Sequence, residues 1–347
     1  MGQAPGAGLM RELEGRAEAV AGTFNAQGVA NTLWAYATMG REPGAAVMQK
    51  LERRAEAVAG TFNEQNVANT LWASSVFTLL RASDAEMRWV DTVVQRLVSL
   101  DKPAFLKSAG LYQLHQFFLS CSLETRLKSL LVEGIKEMSS LKETCRLAFE
   151  GAQTKPSATQ QQVSETLRHM GLSVEDEVRC PKSGYSIDML VEIGGERSSK
   201  GKSWAVEFDG PSHFLASGAP TGATLLKQRH LQLLGHTLVS VPYWEWSGCK
   251  GACEREQYLR GKLEARARNE IVIQQALVSQ QHHEHMSSND KSDDKSDVSA
   301  LAHARAEVQV SQDEEPAKGK RGKKKAKNDK GKGLGVFKGV GEVEEAK

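Results

Sequence analysis

Residues 16–35 read RAEAVAGTFNAQGVANTLWA, and residues 54–73 read RAEAVAGTFNEQNVANTLWA. The two stretches lie 54 − 16 = 38 positions apart and differ at two of twenty places, Ala26 against Glu64 and Gly28 against Asn66. That period suits a helix–turn–helix unit, which cannot bury its apolar face alone and must stack on a neighbour. Within each unit, RAEAVAG predicts a short helix closed by Gly22 or Gly60 in a left-handed terminal position. Asn25 or Asn63 then caps a second helix. Its Val29 and Leu33, or Val67 and Leu71, recur at i, i+4 toward a core. Trp34 and Trp72 follow and are expected to wedge between units. A degenerate third copy is read in AFLKSAGLYQLHQFFLS (104–120), where Phe105, Leu111, Leu114, Phe117 and Phe118 keep helical spacing. Residues 1–150 are therefore expected to form an α-helical repeat solenoid, with units at 16–53 and 54–91 and degenerate helices to 150. Either those helices cap the array or further units precede it.

The character changes after the Gly/Thr/Lys/Pro/Ser run at 151–157. A helix over 159–170 ends at Gly171. Strand-like runs follow at 173–179, 185–193 and 203–209, each rich in β-branched or aromatic residues. A helix over 224–234 places Leu226, Leu233 and Leu234 on one face and stops at Gly235. The strand TLVSV (237–241) leads into PYWEW, and a charged helix runs through 254–275, with 264–281 set apart as its own element. The order α-β-β-β-α-β-α describes a compact α/β domain with a mixed sheet.

The 347 residues are 40% hydrophobic and 25% charged, enough apolar content for packed cores. No apolar run approaches the roughly 20 residues that span a bilayer as a helix. Five cysteines, an odd number, argue for a reducing compartment over a disulfide framework. Cys249-x3-Cys253 lacks a second ligand pair, so a zinc site is not expected, and His282, His283 and His285 read as incidental. Net charge is +2, so any polyanion must be met by local patches. Residues 282–315 carry three basic against nine acidic side chains, and 316–347 carry eleven against four, with KGKRGKKKAK at the centre. Such composition cannot offset its ordering entropy, and 282–347 is expected to be a disordered acidic-then-basic tail. The N-terminal stretch has no signal-peptide hydrophobic segment and carries Glu12, Glu14 and Glu18, which make a poor presequence.

The blocks WAVEFDGPSHF (204–214) and GATLLKQRHLQLLGHTLVSVPYWEW (222–246) closely resemble the RAP domain, an RNA-binding domain abundant in apicomplexans. The match extends over 155–263, including SIDMLV and YLRGKL. The units with FNxQxVANTLWA look like the octotricopeptide-type repeats that accompany RAP domains, an architecture similar to that of FAST-kinase-like proteins. The resemblance implies an organellar RNA-binding protein acting in mRNA stability or rRNA processing, with single-stranded RNA and ribonucleoprotein components as partners. It implies a mitochondrial or chloroplast location, no membrane association and no small-molecule substrate.

The RAP domain also resembles the restriction-endonuclease-like fold, in which an Asp and a Glu on adjacent strands hold a divalent cation and a lysine two residues past the Glu positions water. Asp188 and Glu207 correspond to the two carboxylates, but position 209 holds Asp209, not lysine. No cofactor is therefore expected, and Mg²⁺ enters only in an alternative reading as a metal-dependent endoribonuclease. In the other reading Asp188, Glu207 and Asp209 are scaffold. His213, Lys227 and Arg229 are candidate phosphate contacts and Tyr243 and Trp244 candidate stacking platforms, while Trp246 is expected in the core. In the repeats, one unit of such an array contacts one base. Glu64 and Asn66, where the units differ, are candidates for choosing the base, on the polar side of the second helix. Asn31 and Asn69 are candidates for a constant contact. Neutral drift after a duplication and a protein-interaction scaffold are the competing explanations.

Overall fold

The computed structural model describes residues 6–80, 88–100, 107–128, 138–152, 155–193 and 202–287. The two repeat stretches fold as expected from their caps and apolar spacing. Helix α1 (Ala7–Val20) is followed by α2 (Ala26–Thr38), and α3 (Ala45–Val58) by α4 (Glu64–Leu80). The Asn25 side chain accepts from Gly28 N and that of Asn63 from Asn66 N, each at 2.8 Å. Each bond satisfies an amide that the helix itself cannot. Val29, Leu33, Val67 and Leu71 are fully buried. Gly22 and Gly60 depart from expectation: they sit within 3-10 turns, Ala21–Thr23 and Ala59–Thr61, and neither has positive φ. The first helices tighten at their ends instead of closing on a left-handed glycine.

Helices α5 (Arg88–Ser99), α6 (Ser108–Leu123), α7 (Thr125–Lys128) and α8 (Ser139–Glu150) continue the helical part. First helices stack as α1, α3 and α5, and second helices as α2, α4 and α6. A recurrent bond ties the layers: Arg54 Nε donates to Phe24 O at 2.5 Å, and Arg96 Nε to Phe62 O at 2.9 Å. The stretch read as a degenerate copy falls mostly on α6, although its Phe105 lies outside the described residues. Trp72 is buried and its Nε1 donates to Gln116 Oε1 on α6 at 2.8 Å. Trp34 does not wedge. It stays 40% exposed.

Helix α9 (Ala158–His169), capped by Ser157, leads through Gly171 at φ +83° into a four-stranded sheet of order β1-β2-β3-β4. Strands β1 (Ser173–Arg179), β2 (Ser186–Ile193) and β3 (Lys202–Asp209) run antiparallel in turn, and β4 (Thr237–Pro242) is parallel to β3. The crossover to β4 passes through α10 (Gly222–Leu233). Helices α11 (Tyr243–Gly248) and α12 (Ala252–Ser287) complete the domain. Charged helix 264–281 is not a separate element: α12 runs without a break through residue 263 and six residues into the expected tail, to Ser287. The rest of the tail, 288–347, lies outside the described residues.

One sheet face packs Met189, Val191, Val206, Val239 and Val241 against α9 and α12, with Trp246 buried there as expected. The other face meets α10 and the helical array. Leu226 of α10 joins the core of the array, and Gly222 lies so close to α2 that an added Cβ would stand 1.8 Å from Ala37 O. Helices and sheet form one compact body. Among the described residues no helix is long and apolar enough to cross a membrane.

Candidate nucleic-acid interface

The carboxylates converge because of strand register. Met189 pairs with Val206, so the next antiparallel step sets Asp188 opposite Glu207, and Asp188 Oδ2 accepts from Phe208 N at 2.9 Å. Glu207 and Asp209 are two residues apart on β3 and so share a face. Ser240, paired with Glu207 on β4, donates its hydroxyl to Asp209 Oδ2. Glu207 and Asp209 are each only 2% exposed. The charge that compensates them comes from a helix, not from the strand: Lys227 of α10 donates to Glu207 Oε2 at 2.5 Å. Glu207 Oε1 is buried without a partner among the described residues. Burial, partly offset by Lys227, raises the Glu207 carboxyl to about 8. Burial likewise raises Asp188, against the pull of Lys227. For Lys227, burial favours the neutral amine, yet Glu207 and Asp188 outweigh it and hold the ammonium charged.

This donor set does not fit a divalent cation as it stands. Both oxygens of Asp209 are engaged, by His213 Nδ1 at 3.0 Å and by Ser240. Glu207 already holds Lys227. Among the described residues no three His, Cys, Asp or Glu side chains gather as a metal site.

Beyond the strand ends, the 3-10 turn Pro211–His213 and the start of α11 bring three aromatic rings together. Phe214 meets Trp244 edge-on at 4.3 Å, Tyr243 meets Trp244 at 5.2 Å, and Phe214 lies 6.3 Å from Tyr243. Trp244 is 42% exposed. His213, anchored on Asp209, borders this cluster. The chemistry is that of a stacking platform with a hydrogen-bonding imidazole at its edge. Phe214 was not singled out from sequence, although its place one residue after His213 in WAVEFDGPSHF was visible.

Arg229 goes elsewhere. Two residues past Lys227 on α10 it points off the cluster, and its guanidinium binds Glu124 at the end of α6 at 2.8 and 3.3 Å. It is a strut between sheet domain and array, not an open phosphate contact.

On the array, a second polar surface runs across the second helices. Gln65 Nε2 donates to Asn69 Oδ1 at 2.8 Å and to Gln113 Oε1 at 3.1 Å, and Trp72 adds its bond to Gln116. Asn69 is half-buried in this ladder, whereas its counterpart Asn31 is exposed. Gln65, Gln113 and Gln116 were missed from sequence because the two units share their glutamine and the third copy is degenerate. Asn66 is not on the polar side. It is 7% exposed, and it completes a reciprocal cap, with Asn63 N donating to its Oδ1 at 3.4 Å. Residue 66 stands in the third position of the helix, turned toward α2. Glu64 is half-buried.

The ladder continues into the sheet domain. Gln116 Nε2 donates to Tyr185 OH at 3.0 Å, which contacts His230 Nδ1 at 3.1 Å; His230 Nε2 meets Ser120 Oγ at 2.8 Å, and Ser120 donates to Gln116 O. His115 Nε2 donates to Ser183 O at 2.8 Å. Burial pushes both imidazoles down, His230 to about 3, so both are neutral.

A helical array is thus braced on a four-stranded α/β domain that carries a carboxylate–lysine cluster and an aromatic platform. Residues 206–262 match the RAP domain family, a segment that holds Glu207, Asp209, His213, Lys227, Tyr243 and Trp244. The chain is similar to FAST kinase domain-containing protein 3, mitochondrial. Identity to the Bos taurus protein is 32% over 101 residues, 29% of this chain and 14% of that protein. To the Homo sapiens protein it is 29% over 154 residues, 44% of this chain and 20% of that one. To the Rattus norvegicus protein it is 29% over 159 residues, 44% and 21%. The matched segment spans about a fifth or less of the length of these relatives.

Proposed function

We propose that this chain is a mitochondrial RNA-binding protein that grips single-stranded RNA and acts in the processing or stability of mRNA or rRNA within ribonucleoprotein assemblies. The observation that carries the reading is the exposed Trp244, packed on half-buried Phe214 and Tyr243 beside His213, inside the segment that matches the RAP domain. Unpaired bases stack on such faces, and the imidazole edge is placed to meet a phosphate or base. The glutamine–asparagine ladder gives the array, read as a repeat solenoid, a second polar track for RNA. The relatives' names place them in mitochondria, which favours that organelle over the chloroplast.

The endonuclease reading gains one observation: Lys227 supplies from α10 the ammonium that the strand lacks at Asp209. It stands second because Lys227 already holds Glu207 Oε2, and His213 and Ser240 hold both oxygens of Asp209. In the first reading the cluster is the buried scaffold that fixes the strand end under the platform.

The test is binding of a labelled unstructured RNA to the full chain across a salt series. Affinity is expected to fall steeply with salt. Trp244→Ala should weaken binding roughly five- to 150-fold, matching about 1–3 kcal/mol for one stacked base. An intact fold that ignores RNA at low salt, or a Trp244→Ala protein that binds as before, overturns the reading. Cleavage that requires Mg²⁺ and is lost in Glu207→Gln would move the endonuclease to first place.

A further inference from the structure

The repeat register supplies an internal control for which surfaces of a unit are meant to be covered. Positions 38 apart occupy equivalent places, so a residue buried in the second unit and exposed in the first marks a neighbour that the second unit has and the first lacks. On the first helices, Val47 and Leu51 of α3 are 3% and 0% exposed, whereas their equivalents on α1, Leu9 and Leu13, are 56% and 49% exposed. On the second helices, Asn66, Thr70, Ala73 and Phe77 of α4 are buried, whereas Gly28, Thr32, Ala35 and Met39 of α2 are half-exposed. These four lie at i, i+4, i+7 and i+11, a single helical stripe. Helix α4 packs between α2 and α6, and α3 between α1 and α5, whereas the described residues give α1 and α2 such neighbours on the following side only.

The bonding pattern agrees. Arg54 and Arg96 each reach back to a phenylalanine carbonyl of the preceding unit, Phe24 and Phe62. The residue equivalent to Arg54 is Arg16, which is exposed on the same side of α1 as Leu13. The backbone entry repeats as well: Gly6 and Gly44 are the extended cap residues before α1 and α3.

We propose that the face formed by Leu9, Leu13 and Arg16 of α1 with the Gly28–Met39 stripe of α2 is a docking surface for one more helix pair of the same repeat type. That occupant would present the flank of its second helix to α2 and a backbone carbonyl, placed like that of Phe24, to Arg16. The proposal concerns assembly and is independent of whether RNA is the ligand.

An in-frame duplication of Ala7–Gly44 in the full chain tests this, since its junction Gly44–Ala7 reproduces the glycine–alanine step before α3. The expected result is a gain in helix content and a single unfolding transition at higher denaturant than the parent. Leu13→Asp at the original position should abolish that gain while leaving the unduplicated chain nearly unchanged, because Leu13 is exposed there. Arg16→Ala, a milder change, should reduce it. Three results overturn the proposal: added residues that stay unfolded or melt separately, a gain that survives Leu13→Asp, or an unduplicated chain that dimerises until Leu13→Asp separates it. The last would make a second copy of this chain the occupant.

Discussion

Lys227 and Glu207 form a pair in which neither side chain is at ease without the other. Glu207 is nearly fully buried, one of its oxygens has no partner among the described residues, and its carboxyl is raised to about 8 with the ammonium beside it. Lys227→Met removes that ammonium, so the carboxyl must either stay protonated or ionise uncompensated in the interior. Breaking one side of a buried pair costs about 3–5 kcal/mol. Because the folded-state value lies above the ordinary 4.5, the Glu207 contribution to stability is full below about pH 4.5 and lost as pH rises through about 8. At lower pH the parent and the variant both keep this carboxyl protonated, so the cost of Lys227→Met should grow only as pH rises past about 8. It should shrink in the double variant Lys227→Met with Glu207→Gln, which has no carboxyl to ionise. Denaturant unfolding at pH 6 and pH 9 checks both; a cost independent of pH would show that Lys227 acts through packing alone.

Helix α10 is the element on which the arrangement turns. It carries Lys227 into the sheet cluster, Leu226 into the array core, and Arg229 across to Glu124. Its first residue, Gly222, fits only because it has no side chain, since Ala37 O on α2 occupies the place of a Cβ. Gly222→Ala should push α10 off the array and destabilise the protein by on the order of 3 kcal/mol, the upper range for overpacking a tight contact. Gly210→Ala is the control, because a Cβ there meets nothing within 4 Å. Thermal unfolding of the two variants distinguishes a lost contact from a general effect of adding a methyl group. Equal losses would mean that the α10–α2 approach carries no special load.

At the scale of the whole molecule, the array and the sheet domain are joined through a buried polar relay. It runs from Trp72 through Gln116 and Tyr185 to His230 and back to Ser120. His230 is fully buried and depressed to about 3, so the unfolded chain takes up a proton that the folded chain refuses. Its contribution to stability is present above about pH 6.5 and is lost as pH falls toward 3, with a slope of about 1.4 kcal/mol per pH unit for one proton. This has the opposite sign to the Glu207 effect. His230→Gln, which keeps hydrogen-bonding capacity without a titrating ring, should flatten the stability profile between pH 6 and 4. An unchanged slope would place the acid sensitivity in other groups.

Much of this was legible in the amino-acid order, because local chemistry repeats. The 38-residue copy, the asparagine caps, the glycines at 171 and 235 and the strand runs rich in β-branched or aromatic residues each obey short-range rules, and the described elements lie within a few residues of where those rules put them. The cluster Asp188, Glu207 and Asp209 was legible too, since strand pairing and a two-residue spacing fix which side chains share a face. The partners were not. That Lys227 rather than residue 209 compensates Glu207, that Arg229 leaves for Glu124, and that Asn66 turns inward are facts about helices arriving from distant parts of the chain. Sequence specifies which residues can ionise or stack. Burial and the direction from which a neighbouring helix approaches decide which of them are spent holding the fold and which remain free for a ligand, because desolvation and pairing act through space and not along the chain.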